Sequence, residues 1–342
     1  MDWESALWPE WSLAEEIGAG SFGRVYKIRR RDVGGEYLAA LKVITIPDPQ
    51  AILRMRGAGM SDAGISAYSQ RTIQNISKEI ALMERLKGHS HIVSYEDHRI
   101  VRRTDGPGFH ILLRMELLTG LDRYLDLQRC DERTAVRIGM DLCDALVYLE
   151  KEKVVHRDIK VSNIFATSHG DFKLGDFGIA GSYEGAEAGV WSGGTKAYIA
   201  PESYFRKTAD RRSDIYSLGM VLYRLMNRGE APFSESGAGR TGMSGMSGMT
   251  GGPGSMPSGS DRRLSGEPLP VPATASVDFA RIILKACSYE ADARYACAAD
   301  MLEDLRKLEA GRDRRSREEK VQEEKSREET VRRKFFAKAG DL

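Results

Sequence analysis

One octet and one triplet constrain this chain more than any other part of its sequence. The octet runs from His156 to Asn163 and reads HRDIKVSN, and the triplet DFG begins at Asp176, thirteen positions after Asn163. At ~5% per residue type, five specified positions in one octet arise by chance about once in several thousand chains of this size. Because a second fixed triplet follows at a set distance, coincidence is negligible. The two motifs indicate one functional site that combines acids, a lysine and an amide.

Composition and charge limit the class of protein. The 342 residues are 41% hydrophobic, which suggests a large core and roughly two domains. The formal net charge is +1, from 51 basic and 50 acidic residues, so no basic excess points to nucleic-acid binding. The four cysteines lack C-x-x-C spacing, and we expect reduced thiols in a cytoplasmic protein. We expect neither a signal peptide nor a membrane span, since no apolar run approaches ~20 residues.

Periodicity predicts a small, mostly β part followed by a larger helical part. Two hairpins are predicted early in the chain, one around Gly34-Gly35 and one around residues 105–108. Between them, apolar residues recur at helical spacing over residues 73–86. Further on, an apolar stripe from Ala135 to Leu149 predicts a helix. The run from Ile215 to Met226 is apolar on nearly all sides, which predicts a buried helix.

Two segments depart from this pattern. Residues 235–260 are rich in Gly, Ser and Met, with too few bulky side chains to form a core, which predicts a flexible loop. Residues 311–334 carry dense mixed charge, with Glu and Arg four positions apart in the favourable order. Because these residues lack an apolar seam, their pattern predicts a solvated helix or a disordered tail rather than a coiled coil.

A glycine-rich stretch near the start fits the pattern G-x-G-x-x-G. It runs from Gly18 to Gly23, and alone it is a weak signal shared by ordinary turns and by dinucleotide-binding folds. A dinucleotide fold requires a helix directly after the third glycine, whereas Val25 to Ile28 favours a β-strand. The glycines are therefore predicted to cap a hairpin, where backbone N–H groups can approach phosphate oxygens.

A lysine and a glutamate each occupy a predicted apolar position, where a charged side chain needs a partner. Lys42 lies in a predicted strand that is apolar on both faces, where an unpaired ammonium is costly. Glu79 shares a helical face with Ile76 and Met83. Both positions are explained if the ammonium meets the carboxylate. The alternative is a surface lysine and an edge glutamate, and Glu84 on the same helix is a second candidate acid.

Together these motifs resemble the eukaryotic-type serine/threonine protein kinases, including the bacterial ones, from about Leu13 to Leu308. The resemblance implies an α+β, bilobal protein-kinase fold, with a small β-rich N-lobe carrying one main helix and a larger, mainly helical C-lobe. We expect an N-terminal extension (1–12), a kinase domain (13–309) and a charged C-terminal helix or tail (310–342). Within the domain, the expected parts are the N-lobe (13–115), the hinge (116–121) and the C-lobe (122–309), which contains the low-complexity loop 235–260.

The resemblance also implies ATP and Mg²⁺ as cofactors and gives each motif residue a role. Asp158 would accept the proton of the acceptor hydroxyl, and Lys160 would lie against the γ-phosphate. Lys42, paired with Glu79, would hold the α- and β-phosphates. The two magnesium-binding residues would be Asn163 and Asp176.

The remaining nucleotide contacts are implied on the glycine-rich loop, the sheet and the hinge. They are Ile17, Gly18, Ala19, Gly20, Ser21, Gly23, Val25, Ala40, Met115, Glu116, Leu118, Asp122 and Phe165. Met115 would be the gatekeeper, and Glu116 and Leu118 would meet adenine through backbone groups. Asp122 would reach the ribose or a basic substrate residue. The adenine ring would lie between three apolar side chains, those of Val25, Ala40 and Phe165.

Several C-lobe positions also match the family. The stretch Tyr198 to Glu202 resembles the peptide-docking end of the activation segment, with Thr195 near the catalytic aspartate. Arg294 resembles the arginine that pairs with Glu202, and Asp214 resembles the acid that braces the catalytic loop. The low-complexity stretch falls where the family usually begins a substrate-docking helix, so we expect that surface to be altered.

The expected function is that of a non-specific serine/threonine protein kinase acting on protein substrates, itself included. Lys160 favours Ser/Thr hydroxyls, because tyrosine kinases usually have alanine there. Ser192 is the preferred phosphosite, followed by Ser182 and Tyr183. One alternative is a pseudokinase scaffold, which usually lacks the strand lysine or a catalytic acid. Another is a small-molecule kinase of related fold, against which the peptide-docking stretch argues.

Overall fold

The first part of the chain is a five-stranded antiparallel sheet with two helices. The structure, a computed structural model, describes residues 3–20, 23–127, 130–177, 195–206, 208–234 and 259–314. The strands lie in the order β1-β2-β3-β5-β4. Their bounds, with those of the two helices, are β1 Ser12–Gly20, β2 Gly23–Asp32, β3 Gly35–Ile46, α1 Pro49–Gly57, α2 Asp62–Leu86, β4 Tyr95–Arg102 and β5 Phe109–Glu116.

The second part is mainly helical and contains one small antiparallel sheet, in the order β6-β7-β8. The elements are β6 Thr119–Gly120, α3 Leu121–Leu127, α4 Glu132–Lys151, β7 Ile164–Ala166, β8 Phe172–Leu174, α5 Pro201–Arg206, α6 Arg211–Met226, α7 Gly259–Leu264 and α8 Val277–Ala286. Residues 298–314 are also helical. A β-rich part with one long helix, followed by a mainly helical part, confirms the predicted bilobal fold. None of the described helices is long and apolar enough to cross a bilayer.

The helix predicted over residues 73–86 is the C-terminal half of a longer helix. α2 begins at Asp62, where the Ser61 hydroxyl accepts a hydrogen bond from the backbone N–H of Gly64 at 3.2 Å. The shorter α1 precedes it and was not predicted. It buries only Ile52 and so leaves almost no periodic signal, and it begins because the Asp48 side chain caps its N-terminus.

Both predicted C-lobe helices are confirmed. The apolar stripe from Ala135 to Leu149 on α4 is buried. α6 is buried along almost its whole length, and its N-terminus is fixed by a reciprocal capping box between Asp210 and Ser213. Because α6 is enclosed by the core, it is a rigid support for the loops that cross its N-terminal end.

The first sheet is covered on both faces. Alternate residues of a strand point to opposite faces. Ile44 and Leu113 belong to the core shared with α2 and the C-lobe, whereas Leu41 and Leu112 belong to a second cluster on the other face. That second cluster is closed by three tryptophans, Trp3, Trp8 and Trp11. This cover explains why β3 is apolar on both faces.

The tryptophan segment is fixed to the sheet by polar contacts as well. The indole N–H of Trp8 donates to Asp97 Oδ2 at 2.7 Å. The Arg99 guanidinium donates to the Ala6 carbonyl at 3.1 Å. The Arg114 guanidinium lies 4.9 Å from the ring centroid of Trp8. Within the predicted extension, residues 3–11 therefore pack against the first lobe, and residue 12 begins β1.

Replacing Trp8 by alanine should lower the free energy of unfolding by about 3–5 kcal/mol, because it empties a buried aromatic site. Urea unfolding followed by circular dichroism would measure the change. Val33→Ala is the matched control, since Val33 lies fully exposed in the β2–β3 turn. Equal unfolding midpoints for Trp8→Ala and Val33→Ala would show that the tryptophan segment does not stabilise the sheet.

Several predicted features lie outside the described residues. They are Ser21 of the glycine-rich loop, the candidate phosphosites Ser182, Tyr183 and Ser192, and most of the loop and tail predicted at 235–260 and 310–342. The last two residues of the predicted loop, 259 and 260, are helical and begin α7.

Candidate active site

The small β7–β8 hairpin brings the two sequence motifs together. The octet ends at Asn163, directly before β7, and the triplet begins at Asp176, shortly after β8. The two strands pair with Ile164 opposite Leu174. Beyond that pair, the Gly175 N–H donates to the Asn163 carbonyl at 2.9 Å. The thirteen positions from Asn163 to Asp176 thus span one β-hairpin, which turns the chain back and brings Asp176 close to Asn163.

A buried carboxylate braces the start of the catalytic loop. Asp214, in the first turn of α6, accepts the backbone N–H of His156 at 2.7 Å and that of Arg157 at 2.8 Å, one on each oxygen. Burial raises the pKa of Asp214 to about 7, although the two N–H groups favour its charged form. Arg157 has a φ of 68°, so the loop turns sharply there. The predicted brace is confirmed.

His156 connects the two motifs through its ring. Its Nε2 lies 3.1 Å from the Gly175 carbonyl, and its Nδ1 lies 3.3 Å from the backbone nitrogen of Asp158. A carbonyl only accepts and a backbone N–H only donates, so Nε2 carries the proton and the ring is neutral. Burial also lowers the pKa of His156. The ring therefore fixes Asp158 relative to the residue before Asp176.

Two polar side chains of the loop converge on the Asp158 carboxylate. Lys160 Nζ donates to Asp158 Oδ2 at 2.8 Å. Asn163 Nδ2 donates to the same oxygen at 2.9 Å and to the Asp158 carbonyl at 2.8 Å. These bonds fix the orientation of the Asp158 side chain. They also fix the orientation of the Asn163 amide.

The strand lysine reaches this cluster from the first lobe. Lys42 Nζ, on β3, lies 2.6 Å from Asp176 Oδ1, and Lys42 is only 6% exposed. Burial acts to raise the pKa of Asp176, but the Lys42 ammonium outweighs it and the pKa lies below its usual value. The predicted pair of Lys42 with Glu79 stays a prediction. Glu79 is half-buried whereas Glu84 is exposed, which favours Glu79 as the helix acid.

Several of the predicted nucleotide contacts of the first lobe share the inner face of its sheet. Val25 pairs with Gly18 on one side and with Lys42 on the other, and Ala40 pairs with Met115. Paired residues of neighbouring antiparallel strands point to the same face. Ala40 is buried, Val25 and Met115 are half-buried, and Ile17, Gly18, Ala19 and Gly20 lie in the last part of β1.

Gly23 shows why the third glycine of the pattern is needed. Its φ is 129°, and a Cβ on this residue would collide with the carbonyl oxygen of Val43 on β3. The strand β2 therefore begins at a position that only glycine fits. As predicted, the glycine-rich stretch joins two strands and is not followed by a helix.

The hinge contains a brace that the sequence did not reveal. The Glu116 carboxylate accepts two hydrogen bonds from Lys173 Nζ on β8, at 2.8 and 2.9 Å, and one from the Ser94 N–H at 2.5 Å. The Glu116 N–H itself donates to the Ser94 carbonyl at 3.1 Å. A backbone contact from Glu116 to a ligand would therefore use its carbonyl oxygen.

The other predicted contacts of the second lobe border the hinge. Leu118 is half-buried between β5 and β6, and Phe165 is half-buried on β7. Gly175 lies against the Phe165 ring, where a Cβ would come within 2.9 Å of Cε2. Asp122 is exposed in the first turn of α3.

The donor set around Asn163 and Asp176 fits a magnesium ion. Mg²⁺ prefers oxygen ligands and is often held by one or two carboxylates together with substrate phosphates. Within the described ranges, no three His, Cys, Asp or Glu residues are grouped as a complete protein cage would require. One carboxylate, one amide oxygen and the oxygens of a nucleotide can together supply such a site.

Comparison with known proteins agrees with this geometry. The sequence profile of the family described as "Protein kinase domain" matches residues 11–304. The chain belongs to the protein kinase family. Members of the family typically use ATP and Mg²⁺.

Curated relatives of this chain carry serine/threonine-protein kinase names. "Putative serine/threonine-protein kinase A" of Trypanosoma brucei brucei is 30% identical over 279 residues, covering 78% of this chain and 54% of that protein. "Serine/threonine-protein kinase PknB" of Mycolicibacterium smegmatis is 27% identical over 317 residues, covering 88% of this chain and 43% of that protein. The chain thus spans about half the length of the curated relatives it matches.

A second anchor lies below the stretch that resembles a peptide-docking segment. The Arg294 guanidinium donates to both carboxylate oxygens of Glu202, each at 2.8 Å, and its side chain is fully buried. The Ser213 hydroxyl donates to Glu202 Oε1 at 2.7 Å. Burial acts to raise the pKa of Glu202, but these bonds outweigh it and the pKa lies below the usual value. The predicted Arg294–Glu202 pair is confirmed, whereas the Thr195 side chain lies outside the described part of the chain.

Proposed function

We propose that this chain is an active, non-specific serine/threonine protein kinase, which transfers the γ-phosphoryl group of Mg-ATP to Ser/Thr hydroxyls of proteins. The observation that carries the proposal is the arrangement of the motif residues. Lys160 and Asn163 converge on Asp158, and Lys42 from the other lobe reaches Asp176 beside them. Loss of the strand lysine, the catalytic aspartate or the metal-binding aspartate is the usual mark of an inactive relative, and all three residues are present.

The geometry suggests how the groups divide the reaction. Asp158 would orient the acceptor hydroxyl and take its proton while the hydroxyl oxygen forms the new bond to phosphorus and the β–γ bridging bond breaks. Lys160, already beside Asp158, would neutralise charge on the transferred group. Lys42 would exchange its ion pair with Asp176 for contacts to the phosphates. Magnesium, held by Asn163 and Asp176, would supply further neutralisation of phosphate charge.

Two observations support Ser/Thr hydroxyls as the acceptors. The relatives from Trypanosoma and Mycolicibacterium are named serine/threonine-protein kinases. Lys160 is the residue that favours Ser/Thr acceptors in the family. We propose protein substrates, with autophosphorylation among them, and a cytoplasmic location for the domain.

Incubation of the pure protein with γ-labelled ATP, Mg²⁺ and dephosphorylated casein tests the proposal. We expect label on casein, recovered as phosphoserine or phosphothreonine after acid hydrolysis. Label on small molecules but on no protein would instead identify a small-molecule kinase. Nucleotide binding without any transfer would identify a pseudokinase.

Replacing Asp214 by asparagine tests the brace beneath the catalytic loop. The amide keeps one acceptor but turns a donor toward a backbone N–H, so one buried N–H loses its partner. We expect the free energy of unfolding to fall by about 1–3 kcal/mol, and kcat to fall at least tenfold, because Asp158 is no longer held in place. Thermal unfolding and the casein assay measure the two effects, and an unchanged kcat would contradict the role of the brace.

A further inference from the structure

The peptide-docking stretch, Tyr198 to Glu202, and the residues just before it are held from below through their backbone. The Tyr198 carbonyl accepts the Ser217 hydroxyl, on α6, at 3.0 Å. The carbonyls of Lys196 and Ile199 both accept from the Arg263 guanidinium, on α7, each at 2.7 Å. One side chain thus fixes two of these three carbonyls.

Arg263 is an unusual residue to find at this depth. It is 2% exposed, and its third acceptor is the hydroxyl of Tyr216 at 2.6 Å. Within the described residues, its hydrogen-bond acceptors include no carboxylate. A buried cation is costly unless its donors are satisfied, and the planar fork of arginine satisfies several separated acceptors at once, which lysine does not. The buried guanidinium of Arg263 therefore serves to hold the carbonyls of Lys196 and Ile199 in place.

A buried tyrosine joins this contact to the other anchor. The Tyr216 ring lies 5.4 Å from the guanidinium of Arg263 and 4.7 Å from that of Arg294. Arg294 in turn holds Glu202. The two arginines therefore fix opposite ends of the stretch from Lys196 to Glu202, and both rest on one residue of the rigid helix α6.

The position of α7 is set by residues on both sides of the low-complexity stretch. Gly259, the first residue of α7, lies so close to Pro232 that a Cβ would come within 2.6 Å of the Pro232 carbonyl oxygen. The Arg262 guanidinium lies 4.2 Å from the Phe233 ring centroid. The chain therefore returns to its starting point before α7 begins, and longer loops cost little extra closure entropy. This explains how Arg263 can reach the docking stretch although the low-complexity stretch precedes α7 in the sequence.

We propose that Arg263 is a positioning residue for the acceptor protein: it holds the carbonyls of Lys196 and Ile199 so that the docking stretch keeps the shape that the acceptor binds. The inference rests on the proposed kinase function and adds the residue that sets acceptor affinity. It assigns Arg263 no contact with ATP or with the reacting atoms. Loss of Arg263 should therefore affect the use of the acceptor and leave the use of ATP almost unchanged.

Steady-state kinetics of Arg263→Met and Arg263→Lys, with casein as the acceptor, test this role. For Arg263→Met we expect the KM for casein to rise at least tenfold, while the KM for ATP and the slow hydrolysis of ATP by water stay within twofold of wild type. Arg263→Lys keeps the charge but cannot bridge both carbonyls, so we expect an intermediate rise of at least threefold. Arg281→Met is the matched control, because Arg281 is an exposed arginine on α8 that pairs with Asp278.

Amide hydrogen exchange provides a readout that needs no acceptor. We expect faster exchange at residues 196–200 in both Arg263 variants and unchanged exchange in β3. A casein KM within twofold of wild type in Arg263→Lys would overturn the inference. Equal losses for casein and ATP would also overturn it, since they would show a general structural role. If wild type labels no protein, the proposed function fails, and the inference with it, whereas labelling by wild type with unaffected variants overturns the inference alone.

Discussion

Replacing Asp158 by asparagine is expected to lower kcat for transfer to protein by about 10²–10⁴-fold, the usual contribution of a positioned general base. The asparagine keeps the size of the side chain and can still accept hydrogen bonds from Lys160 and Asn163 through its amide oxygen. It cannot accept the proton of the acceptor hydroxyl. The KM for ATP should change little, because Asp158 is assigned to the acceptor and not to the nucleotide.

The measurement is the initial rate of labelling of casein by γ-labelled ATP. Asp171→Asn is the matched control, since Asp171 is a partly exposed acid in the β7–β8 turn that pairs with Arg137. We expect this control to keep a wild-type rate. Equal labelling by wild type and Asp158→Asn would remove Asp158 from its assigned role.

Replacing Lys42 by methionine is expected to reduce transfer by about 10²–10³-fold, the cost of removing one electrostatic contact to charge in the transition state. Methionine fills much of the same buried space on β3, so the fold should be retained. Lys307→Met is the matched control, because Lys307 is exposed on the helix of residues 298–314 and pairs with Glu303. Unchanged turnover in Lys42→Met would contradict the assignment.

The Lys42 variant also makes a prediction about acid stability. Lys42 holds the pKa of Asp176 below its ordinary value of 3.8. A lowered carboxyl pKa adds stability at higher pH that is lost as the pH falls through the folded-state pKa. The stability advantage of wild type over Lys42→Met should therefore shrink as the pH is lowered below about 4. Urea unfolding at pH 3 and pH 7 measures this difference, and an advantage that grows on acidification would contradict the ion pair.

The sequence predicted those parts of the fold that carry a strong local signal. The stripe on α4, the buried helix α6 and both hairpins have clear periodicity or turn residues, and all are confirmed. α1 was not predicted, because a helix that buries Ile52 alone has almost no periodic pattern. The cover of the outer sheet face was not predicted either, although β3 contained the clue, since a strand that is apolar on both faces needs two covers.

For the candidate site too, the sequence predicted some features and missed others. The motifs gave the positions of Asp158, Asn163 and Asp176, and the hairpin explains their spacing. The contacts of Lys173 with the hinge and of Arg263 with the docking stretch depend on long-range packing, which leaves no trace at fixed spacing in one sequence. The ion pair of Lys42 with Asp176 depends on how the lobes meet, which the sequence does not show, and the pair of Lys42 with Glu79 stays a prediction.

The most direct test of the account is a crystal structure of the chain with Mg²⁺ and a non-hydrolysable ATP analogue. The account predicts that Lys42 Nζ leaves Asp176 for the α- and β-phosphate oxygens, with Asn163 and Asp176 both bound to magnesium and Asp158 facing the γ-phosphate. A nucleotide bound away from these four side chains, or phosphates contacted by neither Lys42 nor a metal on Asp176, would contradict it.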